Sequence, residues 1–243
     1  MVIARHVRGF HRIGSTGEDE FIKCIAFDIV SFVDVGANVG DWTAKLLSFQ
    51  PPVQNGWLYE PSPECVEALR SRFQGISNLS IRQKAVGKTS GSIPFFVESN
   101  QGKTSSVFQS VANDRSKRIN VDIVRLDDEF DSCSTPEVSV VKTDTEGFDG
   151  LAIAGASGMI KQKRVSYFQF EYHGGWLSGR TSLAEIINLF EDSGYRVFVI
   201  RTDGLVDYDY QKFGEFFGYS NFAAVRTDKI NQVSRLIIPR PVA

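Results

Sequence analysis

Two short stretches place ionisable side chains two positions apart: Asp144 and Glu146 in Asp144-Thr-Glu-Gly147, and Glu171 and His173 in Glu171-Tyr-His173. Each follows an apolar run that reads as a strand. Residues two apart in extended chain face the same side, so each strand tip offers a matched pair. Such pairs suit proton transfer to or from a bound hydroxyl. His173 is one of three histidines. Its ordinary pKa lies near neutrality and it opens a glycine-rich stretch, so it is the favoured general base. The alternative role is to tie that stretch to the sheet. Asp144 is assigned to cofactor or substrate beside the reacting atoms. Glu146 either binds a substrate hydroxyl or caps the helix that follows. The same acids would suit a hard cation, but acids two apart on a strand are common without one, and no metal is expected.

Upstream, Val33-Asp-Val-Gly-Ala-Asn-Val-Gly40 carries an apolar run directly into a helix. Gly36 and Gly40 bracket a turn where backbone can approach a ligand, and the helix start offers N–H groups. The dinucleotide pattern G-x-G-x-x-G, laid from Gly36, needs glycine at Asn38 and at Asp41, so a nicotinamide or flavin dinucleotide is disfavoured. The spacing fits G-x-G-x-G with Asn38 in the middle, and Asn tolerates left-handed backbone. Glu60, ending the second strand beside the first, stands at the switch point where open α/β sheets bind ligands. A carboxylate there accepts both hydroxyl hydrogens of a ribose. The cofactor expected is S-adenosylmethionine, which has no phosphates, held by Asp34, Gly36, Ala37, Asn38, Gly40, Glu60, Pro61, Ala85 and Asp144. Asp34 lies inside a strand and needs a partner: it bonds turn amides, faces the cofactor's amino group, or is purely structural. Lys142, inside a valine-rich run, needs an acid, and Asp144 or Glu171 is the candidate.

These residues must be positioned by alternating strands and helices. Glu18 to Phe27 reads as a helix with Phe21, Ile22, Ile25 and Ala26 on one side, followed by strand Ser31 to Val35. Asp41 to Phe49 spaces Trp42, Leu46 and Phe49 as a helix stopped by Pro51-Pro52. Strand Gly56 to Tyr59 leads to a helix that Ser62 caps and Pro63 begins. Strands are expected over Leu79 to Val86, Ser92 to Glu98, Val121 to Leu126 and Val138 to Lys142, with a loop around Asn100 to Ser106. A helix to about Ile160, an alternating strand Val165 to Glu171 and a lid-like loop His173 to Gly179 follow. Leu183, Ile186, Ile187 and Phe190 form a last helical stripe, before strands Arg196 to Ile200 and Asn221 to Val225. The alternation implies an α/β fold with a mostly parallel sheet. No linker divides the chain, so one domain is expected over 1–243, with an N-terminal helical extension (1–30), a core (31–226) and a tail (227–243).

The chain has 243 residues, 42% of them hydrophobic and 23% charged, with a formal net charge of -2. That balance lacks the basic footprint of nucleic-acid binding. Cys24, Cys65 and Cys133 are odd in number and widely spaced, which indicates neither a disulfide framework nor a zinc site. They read as reduced thiols of a cytoplasmic protein. The apolar stretch Cys24 to Val35 is too short to cross a membrane, and the N-terminal segment, with His6 and His11 in surface roles, lacks a signal-peptide core.

Four segments together resemble the FkbM family of methyltransferases: Val33 to Gly40, Glu60-Pro61, Leu126-Asp-Asp128, and Lys142-Thr-Asp-Thr-Glu-Gly147 followed by Asp149. Gly155-Ala156 and Glu171-Tyr-His173 match later features, and the resemblance runs from about Gly17 to Val225. The departures are Asp149 for the family's usual Glu and Thr143 for a usual apolar residue. The resemblance implies a Rossmann-like class I methyltransferase fold with helices on both faces of a seven-stranded sheet whose last strand is antiparallel. It also implies O-methylation of a hydroxyl on a sugar, glycan or natural product. On that reading Glu171, Tyr172 and Trp176 serve the substrate, the two aromatics either stacking on a sugar face or packing the loop. N-methylation of a small amine and a non-catalytic binding module are the competing readings. A homo-oligomer is compatible with either.

Overall fold

The structure, a computed structural model, describes residues 17–97, 107, 117–131 and 137–239. The described residues open with α1 (Gly17–Ile25), β1 (Ser31–Val35), α2 (Asp41–Ser48), β2 (Asn55–Tyr59), α3 (Pro63–Arg72) and β3 (Leu79–Arg82). It continues through β4 (Ala85–Val86), β5 (Gly91–Val97), β6 (Lys117–Val124), α4 (Leu126–Asp131), β7 (Val138–Thr143), α5 (Asp149–Ala154) and α6 (Ser157–Lys161). Then come β8 (Val165–Tyr172), α7 (Trp176–Gly179), α8 (Leu183–Asp192), β9 (Tyr195–Arg201), β10 (Gly204–Asp207), α9 (Tyr210–Phe213), β11 (Ser220–Arg226) and α10 (Ile230–Val233). The expected loop Asn100 to Ser106, Cys133, His6, His11 and the outer parts of both terminal segments lie outside the described residues.

An eight-stranded sheet runs β10-β9-β11-β8-β7-β1-β2-β3. The strands from β8 to β3 are mutually parallel, and β11 is antiparallel to both β8 and β9. The expected seven strands are present, and β10 adds an eighth by folding back on β9. Its four residues, which begin with Gly204 and end with Asp207, gave that strand no periodicity to read. The expected third strand divides: β3 stays in the large sheet, while β4 joins β5 and β6 in a separate three-stranded sheet. The expected long helix breaks at Gly155-Ala156 into α5 and α6.

Central strands are apolar because helices cover both faces. β1 and β8 are buried along their whole lengths. The alternation in β8 suggests one wet face, but Ser166, Gln169 and Glu171 are buried too. Helix α1 supplies part of that cover: Phe21, Ile22 and Ile25 pack with Phe198 and Ile200 of β9, and Val233 of α10 joins the same cluster. On the opposite face, Ile186, Ile187 and Phe190 of α8 pack on Phe168 and Phe170 of β8. A capping box between Ser182 and Glu185 starts α8. Ser62 stands at the start of α3 but makes no side-chain cap.

Strand order reverses at β1, between β2 and β7, so the crevice for a ligand lies beyond the carboxyl ends of these strands. Gly36, at that end of β1, has φ 72, and a Cβ there would come within 1.9 Å of the Asp144 carbonyl oxygen. Only glycine lets the two strand ends approach so closely. No helix among the described residues is long and apolar enough to cross a membrane.

Candidate active site

A cavity of about 800 Å³ opens at these strand ends, lined by Gly36, Ala37, Asn38, Glu60, Pro61, Ala85 and Asp144 among others. The turn's own amides are already used. Gly36 and Ala37 both donate to the Tyr59 carbonyl, at 2.9 and 3.1 Å. Asn38, left-handed at φ 49, donates its N–H to Glu60 Oε2 at 2.8 Å. Ser62 N–H donates to Glu60 Oε1, also at 2.8 Å. The Gly36, Ala37 and Asn38 N–H groups are thus spent within the protein, and that of Asn38 helps to fix the carboxylate. Each Glu60 oxygen keeps a further lone pair. Burial pushes the Glu60 pKa up to about 7, against the two amides and Lys142, which lower it.

Asp34 and Gly40 stand behind the cavity. Asp34 is fully buried, accepts the Thr43 hydroxyl at 2.7 Å and lies 3.3 Å from Lys142 Nζ. None of these contacts is to a turn amide, and Asp34 is not among the residues that line the cavity. Lys142 also donates to the Gly36 carbonyl at 3.2 Å and lies 3.6 Å from Asp144. Burial alone would depress the Lys142 pKa, but Asp34 and Asp144 outweigh it and hold it above the usual lysine value. Gly40, at φ 85, packs against the Phe73 ring at a distance that excludes a side chain.

At the other end, Glu146, Glu171 and Tyr219 line the same cavity as Asp144. Glu146 has φ 53, and burial first, then Glu171 and Asp144, push its pKa up to about 8. Asp149 is fully buried and accepts both the N–H and the hydroxyl of Thr145, at 3.3 and 2.9 Å. That pairing braces the turn carrying Glu146. Burial, Glu171 and Asp144 raise the Asp149 pKa to about 7.

His173 does not line the cavity. Its Nδ1 accepts the Gly175 N–H at 3.0 Å, and its Nε2 lies 3.3 Å from Glu171 Oε2. A neutral imidazole accepting at Nδ1 carries its proton on Nε2, so the ring donates toward Glu171. The pairing with Glu171 raises the His173 pKa, opposed by burial. Glu146, Glu171 and His173 bring ligand-type atoms within 4.8 Å of one another, but this tautomer turns the imidazole's hydrogen, rather than a lone pair, toward the group. His173 is therefore not a free imidazole on the cavity wall: the Gly175 amide occupies its Nδ1, and its Nε2 faces Glu171.

These features place a carboxylate fixed by two backbone amides at one end of a cavity and a set of acids at the other. The family model described as the methyltransferase FkbM domain matches residues 34–197. The chain belongs to the FkbM family. The cofactor of that family is S-adenosylmethionine. The residues fit that cofactor: Glu60 has lone pairs to spare for the ribose, and Ala85, Val86 and Phe95 give the cavity an apolar end. Among solved structures, the FkbM methyltransferase from Methylobacillus flagellatus KT aligns with a TM-score of 0.51 and 16% identity. The match covers 81% of this chain and 44% of that one, so the chain spans less than half of that protein's length. An rRNA methylase from Streptococcus thermophilus aligns with a TM-score of 0.49 and 10% identity, over 86% of this chain and 93% of that one. Among curated proteins, none matches the chain significantly.

In this FkbM methyltransferase, Tyr172 and Trp176 are not available to a substrate. Both are fully buried. Tyr172 donates its hydroxyl to Glu215 at 2.6 Å, and Trp176 donates Nε1 to the Glu171 carbonyl at 3.0 Å. Their rings meet edge to face, 5.1 Å apart. The expected lid from His173 to Gly179 is thus pinned by α7 into the core. Among the cavity residues that escaped the sequence reading are Trp42, seen only as part of a helical stripe, Glu18, seen as a first-turn acid, and Tyr219, which precedes a strand and belongs to no motif.

Proposed function

We propose that this FkbM methyltransferase methylates a hydroxyl oxygen, with Glu146 as the general base. S-adenosylmethionine, when bound, supplies an electrophilic sulfonium methyl. The observation that carries the reading is Glu146 itself, a cavity-lining carboxylate with a pKa near 8. A hydroxyl must shed its proton as it reacts, and a base titrating near operating pH serves that step best. Asp149 fixes the turn that presents Glu146, and Glu171, held by His173, supplies the neighbouring charge that raises its basicity. That the hydroxyl belongs to a sugar, glycan or natural product rests on the family resemblance. Half-exposed Tyr219 at this end of the cavity supports it, as an aromatic face suited to a sugar ring.

The test is turnover with a panel of hydroxyl and amine acceptors. Glu146→Gln should lower kcat by roughly 10²–10⁴-fold with unchanged affinity for S-adenosylhomocysteine, and wild-type kcat should rise with pH through about 8. Full turnover in the variant would remove Glu146 from the role. The gathering of Asp144, Glu146 and Glu171 favours a second reading, an ammonium-bearing acceptor, and methylation confined to the amines of the panel would select it.

A further inference from the structure

Residues 214–219, between α9 and β11, are tied to the rest of the fold through one carboxylate. Glu215 Oε2 accepts the Tyr172 hydroxyl at 2.6 Å, while Oε1 accepts the Ala184 N–H at the start of α8 at 3.1 Å and the Tyr210 hydroxyl at 3.2 Å. The Tyr172 oxygen in turn accepts the Phe217 N–H at 3.2 Å. The backbone fixed in this way holds Phe217 at φ 51, a left-handed conformation that disfavours bulky residues, and leaves it 41% exposed. Gly or Asn would adopt that conformation with less strain. The position therefore keeps Phe for its ring. Packing on Tyr172, whose ring lies 6.2 Å away at 28°, uses one face of that ring.

Two residues on, Tyr219 lines the cavity beside Glu146 and Glu171. Its ring stacks on that of His173 at 6.4 Å and 20°, its hydroxyl is hydrogen-bonded to the Glu171 carboxylate, and the residue is still 52% exposed. Backbone contacts join this end of the cavity to Phe217. A Cβ on Gly147, next to Glu146, would meet Gly175 at 2.9 Å, and one on Gly174 would come within 3.8 Å of the Phe217 carbonyl oxygen. Residues 173–175 thus bridge the turn that carries Glu146 and the turn that carries Phe217. Each aromatic ring spends one face inside the protein and keeps exposed surface at the acid-lined end. Small-molecule sites pair a few convergent polar groups with apolar walls in this way.

Taking Glu146 to mark the acceptor's hydroxyl, we propose that Phe217 and Tyr219 hold an apolar group next to that hydroxyl, the aryl or alkyl aglycone of a glycoside, and that Glu215 positions them. The proposal rests on the assignment of this end of the cavity to the acceptor. Phe217 and Tyr219 lie outside residues 34–197, which match the family model. Selection of the aglycone thus belongs to the segment following the matched core.

Calorimetry on the complex with S-adenosylhomocysteine tests it, using the methyl and phenyl glycosides of glucose, galactose and mannose as matched probes. A phenyl glycoside should bind about threefold to tenfold more tightly than its methyl partner, the scale of one aromatic pair. Phe217→Asn, which suits left-handed backbone, should erase that preference and leave the affinity for S-adenosylhomocysteine unchanged. Phe217→Tyr should keep the preference, and Phe217→Leu, which retains an apolar cover over Tyr172, should lower it. Glu215→Ala should lower it as well, with partial rescue in Glu215→Gln, which keeps an acceptor oxygen. A phenyl preference that survives Phe217→Asn and Phe217→Leu, equal binding of the paired glycosides, or binding by none of them would overturn the proposal. The ratio is read without methyl transfer, so it stands or falls apart from the role of Glu146 as base.

Discussion

His173 faces Glu171 Oε2 through Nε2 at 3.3 Å while its Nδ1 accepts the Gly175 N–H at 3.0 Å. The backbone amide thereby chooses the tautomer, and the imidazole turns its Nε2 side toward a carboxylate that lines the cavity, at ion-pair distance. His173→Ala should lower kcat about tenfold, the scale of one lost polar contact with a charged group. That loss is smaller than the one from Glu146→Gln. Because His173 also lowers the Glu146 pKa, its removal should move the rising limb of the pH–kcat profile upward. His173→Gln, which keeps an N–H donor, should restore part of both. An unshifted profile in His173→Ala would reduce the residue to a support for the loop.

Stability should fall as pH rises from mildly acidic to alkaline. Burial is the first cause in raising Glu60 to about 7, Glu146 to about 8 and Asp149 to about 7. Between their ordinary values and these raised ones, the folded chain holds protons that the unfolded chain has released. Stability from these groups is fully present below the ordinary carboxylate range and is lost as pH climbs through about 7 to 8. Thermal melts should show a midpoint several degrees lower at about pH 8.5 than at about pH 6. Glu146→Gln and Asp149→Asn should each flatten that slope, and saturating S-adenosylhomocysteine should raise the whole curve. A midpoint that rises steadily over the same range would contradict the assignment of these acids as buried and proton-holding.

Lys142→Met should cost about 3–5 kcal/mol, because Asp34 would be left as a buried charge without its cation. Asp34→Asn in the same background should recover much of the loss. Chemical denaturation of the two single variants and the double variant gives the coupling directly. Additive losses would show that the pair at 3.3 Å contributes little.

Local pattern made the fold legible. β1 spans the residues expected of it, and α2 ends one residue before the expected Phe49, since an apolar run followed by glycines needs no distant information. The position of Glu60 in the cavity followed from strand order alone. What the sequence hid depends on contacts far along the chain. Asp34 and Lys142 each signalled a need for a partner, yet their pairing follows from the β1–β7 register, in which they are direct neighbours. Tyr172 and Trp176 could stack on a sugar or pack the loop on sequence alone, and Phe216, Phe217 and Phe222 from the region of β11 crowd around Tyr172. Gln169 lies inside β8, and nothing in that strand's sequence reveals that its amide bonds Glu18 of α1.

Asn38 occupies the middle position of the glycine turn with φ 49. For most side chains that backbone costs roughly 1–2 kcal/mol, and Asn and Gly are the exceptions. Its N–H still reaches Glu60 at 2.8 Å, so the conformation, rather than the side chain, places the carboxylate. The one side-chain contact recorded is a long one, Cys65 Sγ to Asn38 Oδ1 at 3.6 Å. Asn38→Gly should therefore keep S-adenosylhomocysteine affinity within about twofold, with a melting point close to that of the parent. Asn38→Val, β-branched and ill suited to left-handed backbone, should pull the amide away from Glu60. We expect it to weaken the ligand about tenfold or more, the scale of a lost hydrogen bond to a charged group. Calorimetry on the two variants decides the point: if Val binds as well as Gly, the left-handed turn is not what holds Glu60 in place.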